Sequence, residues 1–238
     1  MPAKKKTAKP APRKSALLVW GGWDGHTPKA CAELFADWLK GKGFRVVVSD
    51  TLDIYTNKRR MRQFDVIVPI WTMGEITGAQ WTGLRDAIMN GAHMAGWHGG
   101  MCDSFRNNTE YQFMTGGQWV AHPGGIIDYT VNITKSKDPI TRWLKDFSML
   151  SEQYYMHTDP GNEILATTTF SGKHQNIPWI KGTVMPVIWK RKYGKSRIFY
   201  SSLGHVADEF KVPEVFEIMK RGMLWAMGEK IVPEYKSR

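Results

Sequence analysis

The sequence has 238 residues and a formal net charge of +11, and hydrophobic residues make up 42% of it. This length favours a single globular domain with a core of its own. No apolar run reaches the roughly 18 residues that a membrane-spanning helix needs, so no membrane is expected among the partners.

About half of the excess positive charge lies in residues 1–14 (MPAKKKTAKPAPRK), which contain no acid. Such a run cannot bury apolar surface, so we predict a disordered basic tail over 1–14 and one α/β domain over 15–238. The tail lacks the apolar core of a signal peptide, and the chain has only two cysteines, so we expect a reduced, cytoplasmic protein. No nucleic-acid-binding motif accompanies the charge, so nucleic acid is not an expected partner.

The first hundred residues alternate apolar runs with amphipathic segments. Strands are predicted at SALLVW (15–20), FRVVVSDT (44–51), FDVIVPIWTM (64–73) and AHMAGW (92–97). Helices are predicted over 27–43 and 77–91, and the polar residues 53–61 are predicted to be a connection. Because the strands are apolar throughout, they indicate a mainly parallel sheet with helices on both faces.

The second half is less regular. The sequence pattern there predicts a strand and a short helix within 125–150 and a strand over 163–170. It also predicts a hairpin within 185–205 that turns at 193–195. An amphipathic helix over 212–228 ends at a glycine. We expect these strands to extend the sheet and the last helix to pack on it.

Histidines follow several of the predicted strands. In an open α/β sheet, ligands bind beyond the carboxyl ends of the strands. His26, His98 and His205 each follow a strand, so we expect them to meet at one edge. His122 and His157 lie in loops of unknown position. The candidate metal ligands are therefore His26, His98, His122, His157 and His205.

Two kinds of chemistry suit these histidines. Imidazole binds divalent metals, with zinc, manganese, iron and nickel as the candidates, although no close-spaced ligand motif such as His-Glu-x-x-His occurs. Acid/base catalysis needs no metal, because a carboxylate can orient an imidazole and shift its pKa. The candidate carboxylates are Asp24, Asp103, Glu110, Asp128, Glu152 and Asp159. Two structural roles remain as alternatives to catalysis: Asp103 could cap a helix, and Glu152 could be a solvated charge in a loop.

Aromatic residues are frequent in the predicted loops. Flat rings such as those of Trp23 and Trp97 can stack on sugar rings, and aromatic residues also fill cores. Arg106 and Tyr154 could bind hydroxyl groups or a carbonyl.

The stretch HMAGWHGGMCDSFR (93–106) is typical of a strained turn between a strand and a helix, where a nucleophile often lies. Here His98 occupies that position. The longer segment GWHGGMCDSFRNNTEYQFMTGGQWVAHP (96–123) resembles the glycine-histidine-glycine stretch of the ThuA-like, or trehalose-utilisation, family. SEQYYMHTDP, EILATTTF and the segments 185–210 and 212–228 resemble its later motifs, so the similarity runs from about residue 16 to residue 230.

This resemblance implies a class I glutamine amidotransferase-like fold, which is a flavodoxin-like doubly wound sheet. In amidotransferases the turn carries a cysteine nucleophile, and a late histidine is its base. His98 replaces that cysteine here and His205 aligns with the late histidine, so no glutaminase activity is expected. Cys102 is either a displaced nucleophile or a small buried thiol.

The family is associated with the breakdown of disaccharides such as trehalose, alongside dehydrogenases that make 3-keto sugars. The resemblance therefore implies a sugar or keto-sugar substrate and a hydrolase, lyase or isomerase. We expect His98, His205, Asp103 and Glu152 to be catalytic and Trp23, Trp97, Arg106 and Tyr154 to contact the substrate. The alternatives are a non-catalytic sugar-binding or regulatory module and a thiol hydrolase that uses Cys102. A homo-oligomer is expected because symmetric oligomers are common.

Overall fold

The structure is a computed structural model, and it describes residues 14–237. The predicted disordered tail lies outside the described residues, except for Lys14. The carbonyl of Lys14 accepts a hydrogen bond from the backbone N–H of Arg45 at 3.0 Å, and its ammonium lies 2.9 Å from Glu229. The domain therefore includes one residue that the sequence analysis assigned to the tail.

The described residues form a nine-stranded sheet and a two-stranded ribbon. Five strands are parallel to one another: β1 (Ser15–Gly22), β2 (Arg45–Ser49), β3 (Val66–Thr72), β4 (His93–Trp97) and β11 (Ser196–Ser201). Four strands extend the sheet antiparallel: β10 (Val184–Tyr193), β9 (Glu163–Thr169), β6 (Ile126–Ile133) and β7 (Phe147–Glu152). The ribbon pairs β5 (Gly117–Ala121) with β8 (Tyr155–Thr158).

The order of strands in the sheet is β2-β1-β3-β4-β11-β10-β9-β6-β7. Its parallel part has the flavodoxin-like order, with the reversal of strand order between β1 and β3. The predicted hairpin is confirmed, since β10 and β11 pair across a turn in which Gly194 has a φ of +57°. The predicted α/β class is likewise confirmed.

Helices cover both faces of the sheet. The helices are α1 (Pro28–Gly41), α2 (Lys58–Met61), α3 (Gly78–Met89), α4 (His98–Cys102), α5 (Thr109–Thr115) and α6 (Pro213–Met227). Alternate residues of β1 point to opposite faces. Ala16 and Leu18 belong to the core under α1 and α6, whereas Leu17 and Val19 belong to the core under α3. No helix in the described part of the chain has the length and apolar character needed to cross a membrane.

The predicted connection over 53–61 joins β2 to β3 and contains a 3₁₀ helix, Leu52–Thr56, followed by the short helix α2. One prediction about local structure was wrong. The helix predicted between β6 and β7 is only a set of turns, because Trp143 has a left-handed φ of +65° and interrupts it. The carbonyls of Ile140 and Arg142 instead accept hydrogen bonds from the Arg221 guanidinium.

Candidate functional site

Three histidines meet at the carboxyl edge of the parallel strands. His26 ends a 3₁₀ turn after β1, His98 begins α4 directly after β4, and His205 lies four residues after β11. The ring centroids are 4.7 Å apart for His26 and His98, 5.0 Å for His26 and His205, and 5.2 Å for His98 and His205. The structure thus brings together the three histidines that follow predicted strands.

The turn after β4 has the strain that the sequence indicated. His98 has a φ of +45°, in the left-handed region that L-residues adopt only at a cost. A Cβ on the next residue, Gly99, would lie 2.5 Å from Cε1 of His26, so only glycine allows this close approach of the two histidines. The glycine run therefore serves the packing of the imidazoles.

Glu152 enters the cluster from the end of β7. Its Oε2 atom lies 3.4 Å from Nε2 of His98 and 3.4 Å from Nδ1 of His205. Its other oxygen, Oε1, lies 3.7 Å from Nε2 of His122. One donor atom from each of His26, His98, His205 and Glu152 lies within 4.8 Å of the other three.

Neighbouring polar groups orient the rings of His26 and His98 and hold the backbone of His205. Nδ1 of His26 is hydrogen-bonded to the Thr72 hydroxyl at 2.7 Å, and Nδ1 of His98 is hydrogen-bonded to the Tyr154 hydroxyl at 2.8 Å. The Glu209 carboxylate accepts a hydrogen bond from the backbone N–H of His205 at 2.9 Å. Nε2 of His98 and Nδ1 of His205 are buried without a hydrogen-bond partner, and both face Glu152.

Burial sets the protonation of the cluster. Burial, reinforced by the charge of His205, lowers the pKa of His26 to about 4, and burial holds the pKa of His98 well below its usual value. Burial would raise the pKa of Glu152, but the adjacent His205 and His122 outweigh it and the net shift is downward. At neutral pH the site therefore combines neutral imidazoles at His26 and His98 with an ionised carboxylate.

A second group of side chains lies beside the cluster. The buried carboxylate of Asp103 accepts hydrogen bonds from Nε of Arg106 at 2.6 Å and from Nη2 at 2.9 Å. The Arg106 guanidinium lies 4.7 Å from the centre of the Trp119 ring, and that ring lies 5.6 Å from the ring of His122. Asp103 therefore orients Arg106 rather than a histidine.

The aromatic candidates have different positions. Trp23 is about half exposed, and its ring lies 4.7 Å from that of His26. Tyr154 is buried against His98, so it orients that ring. The prediction that Trp97 contacts the substrate was wrong, because its ring is buried in the core between Phe35 and Phe210.

Other candidates lie outside the cluster. His157 is exposed on β8 and is not among the clustered ligands, so the structure does not support it as a metal ligand. Glu110 accepts a hydrogen bond from the Trp81 indole, and Asp159 pairs with Arg191. Asp24 and Asp128 are exposed. Cys102 is 1% exposed, and burial raises the pKa of its thiol, which makes it inert as a nucleophile.

Sequence reasoning missed Thr72 and Glu209. Thr72 is the last residue of β3, so the rule that selected the histidines could have found it. Glu209 acts through two backbone N–H groups, those of Gly204 and His205, and no spacing in the sequence shows such contacts.

Comparisons with known proteins identify the family and the fold. The profile of a family named ThuA and described as trehalose utilisation matches residues 15–226. A ThuA-like protein from Bacteroides uniformis has a similar structure, with a TM-score of 0.76 and 16% identity over 94% of this chain and 95% of that one. A ThuA-like protein from Parabacteroides merdae has a TM-score of 0.73 and 15% identity over the same shares. A cytoplasmic protein from Salmonella typhimurium has a TM-score of 0.62 and 11% identity over 91% of this chain and 100% of that one.

A comparison with curated proteins found no match. At these identities the solved structures establish the fold, and the profile match over most of the chain establishes the family.

Proposed function

Because this chain belongs to the ThuA family, which is described as trehalose utilisation, we propose that it is an enzyme acting on a sugar or a keto sugar. The observation that carries the proposal is the buried cluster of His26, His98, His205 and Glu152. Burying polar groups that lack hydrogen-bond partners destabilises a fold, and such groups with shifted pKa values concentrate at functional sites. The cluster also lies where α/β folds bind ligands.

The cluster suits proton transfer next to a ketone. In a 3-keto disaccharide, a base takes the proton from C2, and the electron pair of that C–H bond forms a C1–C2 double bond. The C1–O bond to the second sugar breaks, and the leaving oxygen takes a proton from the protonated base or a second acid. The products are an unsaturated keto sugar and a free sugar. A neutral imidazole beside a carboxylate can carry out both proton transfers.

The half-exposed groups beside the cluster supply the proposed substrate contacts. Trp23 offers an aromatic face next to His26. Arg106, held by Asp103 and stacked on Trp119, offers a fixed donor for a hydroxyl or carbonyl oxygen. We extend the proposal to a reduced, cytoplasmic setting, which suits the two free, buried cysteines of the described residues. The homo-oligomer stays a prediction, and light scattering would check it.

The test follows proton exchange directly. Wild-type protein is incubated in D₂O with 3-keto-trehalose, and proton NMR follows loss of the proton beside the ketone and release of glucose. We expect exchange or release with the wild type, none with H98A, and an unchanged rate with H157A. His157 is the matched control because it is an exposed histidine outside the cluster.

Two outcomes would contradict the proposed enzymatic activity. Saturable binding of trehalose or 3-keto-trehalose without exchange or release would favour the non-catalytic sugar-binding module. Turnover that H98A retains in full would remove the cluster from the reaction.

A further inference from the structure

We propose that His26, His98, His205 and Glu152 form the ligand set of a single divalent transition-metal ion. Five histidines are candidate metal ligands in the sequence. The structure keeps three of them, adds a carboxylate, and leaves out His122 and His157. The role of the ion in catalysis rests on the proposed function, whereas its binding can be tested without any substrate.

The distances between the donor atoms suit a four-coordinate ion. Metal–ligand bonds of about 2.0–2.1 Å in a tetrahedron place neighbouring donor atoms about 3.3–3.4 Å apart. Oε2 of Glu152 lies 3.4 Å from Nε2 of His98 and 3.4 Å from Nδ1 of His205. The four donor atoms are all within 4.8 Å of one another, so small rotations of the side chains would complete the set.

The orientation of the rings gives a second argument. The Thr72 and Tyr154 hydroxyls occupy Nδ1 of His26 and Nδ1 of His98, which leaves the opposite nitrogen of each ring for a metal. Hydrogen bonds to the nitrogen that does not bind the metal orient metal-binding histidines in proteins. Nε2 of His98 and Nδ1 of His205 are buried and unpartnered, and a cation between them and Glu152 would satisfy both.

The chemistry of the donors selects the class of metal. Three imidazoles and one carboxylate suit zinc, manganese, iron or nickel better than magnesium or calcium, which prefer oxygen ligands. If the ketone oxygen of a keto sugar were added as a fifth ligand, such an ion would polarise the ketone and stabilise the enolate.

His122 lies beside the proposed ligand set but outside it. It is about one-third exposed and lies 3.7 Å from Oε1, the Glu152 oxygen that does not face His98 and His205. Its substitution should therefore leave the metal bound.

The experiment measures metal on the full chain, purified without chelators or metal-affinity resin. Mass spectrometry of the wild type should find about one zinc, manganese, iron or nickel ion per chain. Protein stripped with dipicolinate should bind one Co²⁺ and show the intense visible bands of a low-symmetry site. H98A and E152A should lose Co²⁺ affinity by about 100-fold or more, whereas H122A and the matched control H157A should keep it.

Circular dichroism confirms folding of each variant, and Y154F provides a milder change at the same centre if H98A does not fold. Stripped wild type that binds none of these ions, or cluster variants that bind Co²⁺ as tightly as the wild type, would overturn the metal centre. Turnover of 3-keto-trehalose by metal-free protein would overturn the centre while leaving the proposed function standing. Stoichiometric metal without turnover would support the centre and contradict the enzyme.

Discussion

Three features of His98 constrain the orientation of its imidazole: a left-handed backbone, a buried ring and a hydrogen bond to Nδ1. The backbone angle directs the ring toward His26, and the Tyr154 hydroxyl holds Nδ1 at 2.8 Å. The sequence predicted the location of His98 because strand ends in a parallel sheet share an edge. It could not predict the function of Tyr154, because the contact joins residues 56 positions apart.

Removing the Tyr154 hydroxyl should weaken the site without unfolding the protein. In Y154F the ring still packs against His98, but Nδ1 loses its partner and the imidazole can rotate. We expect turnover and Co²⁺ affinity to fall by about 10–100-fold, as when other hydrogen-bond partners of metal-binding histidines are removed. Y155F is the matched control, since Tyr155 packs against Phe170 and is outside the cluster. Equal behaviour of the two variants would show that the hydroxyl does not orient His98.

A single methyl group at Gly99 should displace His26. The added Cβ would lie 2.5 Å from Cε1 of His26 and 3.1 Å from Cγ2 of Thr72. We expect G99A to lower the melting temperature and to abolish Co²⁺ binding, as measured by thermal denaturation and by titration. G41A is the control, because no atom lies within 4 Å of a Cβ built there and that variant should be neutral. Wild-type Co²⁺ affinity in G99A would show that His26 is not a ligand.

The helix α6 is fixed to the rest of the domain by a buried ionic network. Glu217 accepts a hydrogen bond from Nε of Arg221 at 2.8 Å and pairs with Lys220 at 2.8 Å. Arg221 is 1% exposed and also donates to the carbonyls of Ile140, Arg142 and Tyr235. The helix therefore holds both the turns between β6 and β7 and the C-terminal segment.

Replacing Glu217 should leave the buried Arg221 guanidinium without its carboxylate partner, whereas Lys220 keeps its pairing with Glu234. We expect E217Q to lower the free energy of unfolding at pH 7 by about 3–5 kcal/mol, as measured in urea. The exposed Glu33 on α1 is the matched control, and E33Q should change little. Equal stability of E217Q and the wild type would show that the network contributes nothing net.

The same network should make the free energy of unfolding depend on pH. Burial would raise the pKa of Glu217, but Lys220 and Arg221 outweigh it and lower the pKa in the folded state. The contribution is therefore complete above the unfolded-state pKa and is lost as the pH falls through the lower folded-state pKa. The difference between wild type and E217Q should narrow below about pH 4.5, the ordinary value for glutamate. A difference that stays constant from pH 7 to acid would contradict this explanation.

Elements with a strong local signal were predictable, and those fixed by distant contacts were not. The helix α3 has its own start signal, a capping box between Thr77 and Gln80. The turns after Asp138 have helical composition, but Arg221 from α6 takes their carbonyls. Trp97 ends a predicted strand next to a glycine-rich turn, and only its packing against Phe35 and Phe210 shows that it belongs to the core.

The whole molecule encloses both cysteines. Cys31 lies in α1 and Cys102 lies at the end of α4, and both are buried. Burial raises the pKa of Cys31 to about 11 and raises that of Cys102 as well, so neither provides a thiolate at neutral pH. We expect Ellman's reagent to modify neither thiol in the native protein and both in denaturant. Rapid native modification, abolished by C102S, would restore Cys102 as a candidate nucleophile.

The residues of the cluster are spread along the chain from 26 to 205, and they end or follow strands that are not all neighbours in the sheet, with Glu152 at the end of the edge strand β7. The four donors therefore reach their spacing only in the folded domain, so the proposed ion should bind only after the chain has folded. An ion that binds only the folded state then opposes unfolding everywhere at once. At a thousand times its dissociation constant, it adds about 4.1 kcal/mol to the stability of the whole domain. Removal of the proposed ion should therefore lower the free energy of unfolding of the whole domain as well as the proposed activity.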